Sequence, residues 1–232
     1  PPRLFLNDGN GFYTNATATN LPVGNISDQQ DCIFGDVDGD FDMDIHIGSR
    51  AGQHRLWLND GSGVFTNFTF PSGGAVYSFD FADIDADGDI DLLQINGGAD
   101  KLLQNNMPAA WTVISSEISP NTALDDNDSK FFDFDNDGDL DYIVGSLSTQ
   151  DRVYRNNGPE AAGAQFTQVA GIMPAVSDAT LDIEVADWDG DGDLDVLTAQ
   201  GESGSFVNRI YINSGPADTI PPRIARVEQL PD

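Results

Sequence analysis

Cysteine occurs once in 232 residues, as Cys32, so no disulfide can close within the chain and no thiolate set for zinc exists. Basic residues are scarce too, with 10 Lys plus Arg against 39 Asp plus Glu and a formal net charge of -29. So acidic a chain repels phosphate, which excludes nucleic acid and anionic membrane surfaces as partners. Long apolar runs are missing. No stretch approaches 18 apolar residues and no basic-then-apolar leader opens the sequence, so it neither spans a bilayer nor shows an export signal of its own and reads as a mature or excised piece. Helical periodicity is missing as well: no window of a dozen residues repeats at 3.6. Disorder does not follow from the acidity, because 39% of residues are hydrophobic and 14 are Phe.

What the sequence does contain is an Asp-rich phrase written four times. The copies are DVDGDFDMD (Asp36 to Asp44), DIDADGDID (Asp83 to Asp91), DFDNDGDLD (Asp133 to Asp141) and DWDGDGDLD (Asp187 to Asp195), with starts 47, 50 and 54 residues apart. Two further phrases keep step with it. One is LFLNDG at Leu4, LWLNDG at Leu56, LLQNN at Leu102, VYRNNG at Val153 and IYINSG at Ile210; the other is GFYTNAT, GVFTNFT, AAWTVIS and AQFTQVA. Short Ile-, Leu-, Val- and Phe-rich runs flank each acidic phrase, and turns such as Asn59-Asp60-Gly61 separate the other two. Each unit therefore predicts four antiparallel strands. The period is that of propeller blades, so an all-β propeller of four-stranded blades with almost no helix is expected, packed in a ring because one sheet cannot bury both faces alone.

Chemistry concentrates in the turn between the first two strands of each unit. Carboxylates at positions 1, 3, 5 and 9, with glycine at 6 to permit positive φ, can curl around one hard cation. Calcium suits such a cage, since it accepts six to eight oxygens at flexible geometry while magnesium demands a stricter octahedron. The candidate ligands are Asp83, Asp85, Asp87 and Asp91; Asp133, Asp135, Asp137 and Asp141; and Asp187, Asp189, Asp191 and Asp195. Position 7, occupied by Asp42, Asp89, Asp139 and Asp193, would add a backbone carbonyl. An EF-hand is excluded, because position 11 holds Leu93, Ile143 or Leu197 inside a strand and position 12, next along that strand, is not Glu in any copy. In the first copy Asp36, Asp38, Asp40 and Asp44 are in place, but Phe41 stands where the others have Gly88, Gly138 and Gly192. Either that turn is distorted or Gly39 takes the bend, and its site is expected to be the weakest or empty. The four phrases hold 20 of the 39 acidic residues, and four calcium ions would add eight positive charges and leave -21.

Phrases such as FADIDADGDIDLL and VADWDGDGDLDVL resemble the FG-GAP or VCBS repeats of integrin alpha-chain propellers and of many secreted microbial proteins. The resemblance runs to about Gly215 and implies a calcium-bearing β-propeller with its metals between blade strands one and two. It implies no single activity. Phe34-Gly35 is the one Phe-Gly pair of the integrin style, and no Gly-Ala-Pro tripeptide occurs, which places the chain nearer the VCBS style. About four blades are visible and a larger, seven-bladed ring is expected, with residues 1–217 forming blades and 218–232 a linker or the start of a following β domain.

Enzyme signals are thin. His46 and His54 show no nucleophile or ligand spacing, and no G-x-S-x-G, H-E-x-x-H or P-loop phrase occurs. Cys32 reads as a small core residue, Trp57 and Trp111 as packing between blades, and Asn15, Asn25, Asn67 and Asn127 as sequons. The leading expectation is an extracellular, secreted or cell-surface module that binds protein or glycan, with up to four structural Ca2+ ions and further domains in the same chain. The alternative is the propeller scaffold of a polysaccharide lyase or hydrolase.

Overall fold

The computed structural model describes residues 2–24, 26–71, 73–201 and 206–215. Strand β1 (Phe5–Asn7) pairs with β2 (Tyr13–Asn15), followed by a four-residue helix at Thr17–Asn20. The first full sheet follows in chain order: β3 (Gln29–Gly35), β4 (Asp44–Ser49), β5 (Arg55–Asn59) and β6 (Phe65–Phe68). The second repeats it with β7 (Val76–Ala82), β8 (Asp91–Asn96), β9 (Lys101–Gln104) and β10 (Thr112–Val113). After a single 3-10 turn at Ser115–Glu117, the third sheet gains a strand. To β12 (Asp126–Phe132), β13 (Asp141–Ser146), β14 (Arg152–Asn156) and β15 (Phe166–Gln168) it adds the two-residue β11 (Ile118–Ser119), parallel to β15. The fourth has β16 (Thr180–Ala186), β17 (Asp195–Gln200) and β18 (Arg209–Tyr211).

The strands and near absence of helix agree with the sequence reading, while β11 departs from four strands per unit. Among the described residues no strand pairing joins the first sheet to the last. The segment 218–232 lies outside the described residues, as does the Asn25 sequon.

Alternation along the central strands explains how the sheets stack. Leu92 and Leu93 are neighbours in β8 and point to opposite faces. Leu92 joins Val37, Leu56 and Phe79 in the core between the first and second sheets, whereas Leu93 and Ile95 join Tyr142, Val144 and Phe166 between the second and third. Phe132, Ile143 and Val153 meet Ile183 and Val196 at the next seam. Both faces of the inner sheets are thus buried, which is why their strands read as nearly continuous apolar runs. Close approach also needs glycine: a Cβ at Gly48 would lie 2.2 Å from the Phe79 ring across the first seam.

Carboxylates stitch the first strands of successive sheets together. Asp80 Oδ2 accepts the Phe131 N–H at 2.9 Å, and Asp128 Oδ2 accepts the Ile183 N–H at 2.7 Å. All four acidic phrases lie at the same turn of their sheets, between the first and second strands: β3 and β4, β7 and β8, β12 and β13, and β16 and β17.

Candidate metal centres in the acidic turns

Each acidic phrase leaves the first strand of its sheet and returns at position 9 as the first residue of the second, Asp44, Asp91, Asp141 or Asp195. Two residues per turn are left-handed. They are Gly39 and Phe41 (φ 75° and 73°), Ala86 and Gly88 (63° and 100°), Asn136 and Gly138 (61° and 93°), and Gly190 and Gly192 (80° and 100°). The double reversal brings the position 6 N–H onto the position 1 carboxylate: Gly88 to Asp83 at 3.1 Å, Gly138 to Asp133 at 2.8 Å, Gly192 to Asp187 at 3.2 Å and Phe41 to Asp36 at 3.0 Å. The first turn therefore keeps the shape of the others. Gly39 and Phe41 share the bend, and a left-handed Phe carries a backbone cost of about 1–2 kcal/mol.

Carboxylate oxygens converge within each turn. Asp83, Asp85 and Asp91 lie within 4.8 Å of one another, as do Asp133, Asp135 and Asp141, and Asp187, Asp189 and Asp195. The first turn differs, since its group is Asp36, Asp38 and Asp40, without Asp44. At position 5 the carboxylates of Asp87, Asp137 and Asp191 instead accept the N–H of Asp89, Asp139 and Asp193, as Asp40 does for Asp42, at 3.0–3.1 Å. Position 3 is reached from the third strand. Gln104 Nε2 donates to Asp85 Oδ2, and Arg155 Nη2 pairs with Asp135 Oδ2, both at 2.5 Å.

Burial makes this accumulation of charge costly. It pushes the Asp91 carboxyl up to about 7 and Asp141 up to about 8, against the backbone N–H groups each accepts and with neighbouring aspartates adding to the rise; Asp44 rises to about 6 for the same reason. Asp83 Oδ1 and Asp135 Oδ1 are buried without a hydrogen-bond partner. A divalent cation would satisfy both the charge and these oxygens, so the groups could hold a metal ion.

The position 9 carboxylate organises the turn from behind. Asp91 Oδ2 accepts the Ile84 N–H at 3.1 Å, and Oδ1 accepts the Asn105 N–H at 2.7 Å. Asp44, Asp141 and Asp195 repeat this with Val37 and Asn59, Phe134 and Asn156, and Trp188 and Asn213. Sequence reasoning placed those asparagines in a hairpin phrase and missed their link to the acidic turn. The signal was present, because the asparagine keeps step with the aspartates in every copy.

The remaining singled-out residues are structural or exposed. Cys32 is exposed, contrary to the core position expected: its counterparts Phe79, Ser129 and Ile183 are covered by a preceding sheet, whereas among the described residues no four-stranded sheet covers that face of β3. Trp57 and Trp111 are buried as expected, and Trp188 is 60% exposed. His46 is fully buried, its ring 4.3 Å from that of Phe79, and desolvation drives its pKa down to about 3. His54 accepts the Ser49 N–H at Nδ1 and faces the Gly74 carbonyl through Nε2 at 2.9 Å. Sequons Asn15 and Asn67 are exposed, and Asn127 donates to the Leu181 carbonyl at 2.6 Å.

A second polar cluster lies at the third strands. Their opening residue is cationic in all four full units, Arg55, Lys101, Arg152 and Arg209, a regularity not read from the sequence. Arg152 pairs with Asp126 at 2.5 Å, both buried, near buried Asp100. Burial, then the Asp126 charge, pushes Asp100 up to about 8. The folded state thus keeps a proton that the unfolded chain, with its ordinary carboxyl value of 3.8, releases, so this group's contribution to stability falls as pH rises from about 4 to 8. Asp100→Asn retains the oxygen that accepts the Asn96 N–H and removes the titration. Urea unfolding at pH 5.5 and 8 should show the variant gaining on the parent at the higher pH, by at most about 1.4 kcal/mol per unit; a pH-independent difference would refute the assignment.

Antiparallel sheets in tandem, each with one aspartate-lined turn at the same place, define a class of all-β repeat protein. The model of the FG-GAP-like repeat matches residues 36–94 and 133–198, more than half of the chain. The chain belongs to the FG-GAP-like repeat family. A comparison with curated proteins returned no match. Among solved structures, the chain is similar to an Agrocybe aegerita lectin, described as specifically recognising non-reducing terminal N-acetylglucosamine, with a TM-score of 0.61 and 18% identity over 94% of this chain and 58% of that one. It is also similar to the V. cholerae biofilm matrix protein Bap1, with a TM-score of 0.42 and 18% identity over 72% of this chain and 23% of that one. The chain thus spans a little over half of the lectin chain, and at this identity the likeness is one of fold.

Proposed function

We propose that the sheets are blades of a β-propeller whose acidic turns bind calcium, and that the protein acts outside the cell as a module for binding glycan or protein. The observation that carries the metal reading is the convergence of three carboxylates in each turn together with the orphaned buried oxygens of Asp83 and Asp135. Asp83, Asp85 and Asp91, Asp133, Asp135 and Asp141, and Asp187, Asp189 and Asp195 would hold the ion, with positions 5 and 7 completing the shell. Calcium supplies charge neutralisation here, and millimolar calcium outside cells would fill such sites. The first turn binds most weakly, since Asp44 stands outside its carboxylate group and Phe41 holds a strained backbone. Ligand binding is supported by the fold shared with a lectin, and the acidity favours a neutral glycan or a cationic protein surface over an anionic one.

Titration calorimetry on chelator-stripped protein should give three tighter calcium sites and a weaker fourth, and a glycan array run with calcium and with chelator should show binding only in calcium. Absence of calcium heat would end the metal reading. A blank array with a folded, calcium-loaded protein would turn the ligand reading toward protein partners.

A further inference from the structure

The seams between successive sheets pass through the acidic turns themselves. Asn156 donates its backbone N–H to Asp141 Oδ1 of its own turn at 2.7 Å, and its side-chain Nδ2 to the carbonyl of Ile84, position 2 of the preceding turn, at 3.1 Å. Ile84 in turn gives its N–H to Asp91, the position 9 carboxylate of that preceding turn, at 3.1 Å. The pattern recurs along the molecule. Asn105 Nδ2 reaches the Val37 carbonyl at 2.7 Å and Asn213 Nδ2 the Phe134 carbonyl at 2.9 Å. One uninterrupted path of hydrogen bonds therefore runs Asp195, Asn213, Phe134, Asp141, Asn156, Ile84, Asp91, Asn105, Val37, Asp44. It passes through the second, third and fourth candidate cages and ends at Asp44 of the first turn, outside the Asp36, Asp38 and Asp40 group.

Two of the three clasping asparagines are deeply set, and Asn213 is half-buried. Asn105 is fully buried and Asn156 is 2% exposed. Their other polar atoms are also used: Asn156 Oδ1 accepts from Gly158 N–H and from Gln165 Nε2, and Gln165 also donates to the Ile84 carbonyl at 2.8 Å. Such a fully satisfied buried network has one low-energy arrangement, so a turn whose position 9 carboxylate is fixed by a cation holds its asparagine fixed, and that asparagine holds the next turn's position 2 peptide.

We infer that Asn105, Asn156 and Asn213 are positioning residues that couple calcium binding at adjacent turns, so that filling one cage raises the affinity of its neighbour. This rests on the calcium reading above. Ordering a turn has an entropic cost, and a neighbour already ordered through the shared peptide lowers that cost for the second ion. Linkage makes the effect reciprocal.

The test uses the full chain with 15N-labelled glycine, because Gly88 and Gly138 each report one turn through the N–H they donate to Asp83 and Asp133. Asp137→Asn silences the third turn. Its exposed side chain accepts a local N–H, from Asp139, so the fold is retained. The calcium midpoint at Gly88 should rise at least about fivefold in Asp137→Asn. In Asn156→Ala, adding Asp137→Asn should leave the Gly88 midpoint within about twofold of Asn156→Ala alone. An equal rise in both backgrounds, or none in either while both glycines respond to calcium, would overturn the coupling. Glycine signals indifferent to calcium in the unmutated protein would instead overturn the metal reading. Should Asn156→Ala not give a folded spectrum, Asn105→Ala tests the preceding seam, with Asp87→Asn silencing the second turn and Gly39, whose N–H donates to Asp36 at 2.8 Å, as reporter.

Discussion

Stripping calcium should lower the melting temperature by on the order of 15 °C or more. A site filled to a hundred times its dissociation constant stabilises the folded state by about 2.7 kcal/mol. Three such sites give roughly 8 kcal/mol, and for a chain of this length each kcal/mol moves the midpoint by about 2–4 °C. The direction follows from the apo turns, where burial holds Asp91 and Asp141 far above the ordinary carboxylate range and leaves oxygens of Asp83 and Asp135 unpaired. Scanning calorimetry in calcium and in chelator at pH 7.5 decides it. Superimposable melts would remove calcium from the account of stability.

Asp91→Ala should be the most damaging single change in the turns, whereas Asp87→Ala in the same turn should be mild without metal. Asp91 is 1% exposed and satisfies two backbone donors, Ile84 and Asn105; deleting it leaves both unpaired, at about 1–3 kcal/mol each. Asp87 is exposed and accepts only the Asp89 N–H. In chelator the first variant should lose roughly 3 kcal/mol by urea unfolding and the second less than about 1 kcal/mol. In calcium both should fall further. Equal losses in chelator would mean that position 9 is only a ligand and not also the scaffold of its turn.

Much of the architecture was readable because its physics is local. Alternating aspartates with glycine at position 6 announce a tight polar turn, and the flanking apolar runs are too short for helices. What could not be read depends on distant contacts. The left-handed position 4 is filled by Gly39, Ala86, Asn136 and Gly190, and no single residue type marks it. The exposure of Cys32 follows from what lies across its seam, and β11 is two residues that pair only because Phe166 passes beside Ile118. In the candidate sites the aspartates were evident, but the division of labour among them was not. Positions 1, 3 and 9 converge in three of the four turns, while position 5 turns to a local N–H. The asparagines escaped notice because their role spans about 70 residues, from Asn156 to Ile84 and from Asn105 to Val37.

Each of these asparagines grips a main-chain carbonyl and is indifferent to the side chain beside it. Val37, Ile84 and Phe134 occupy the gripped position in turn, residues of quite different bulk. A joint that recognises only backbone leaves the neighbouring side chain free to vary without losing the alignment of the units.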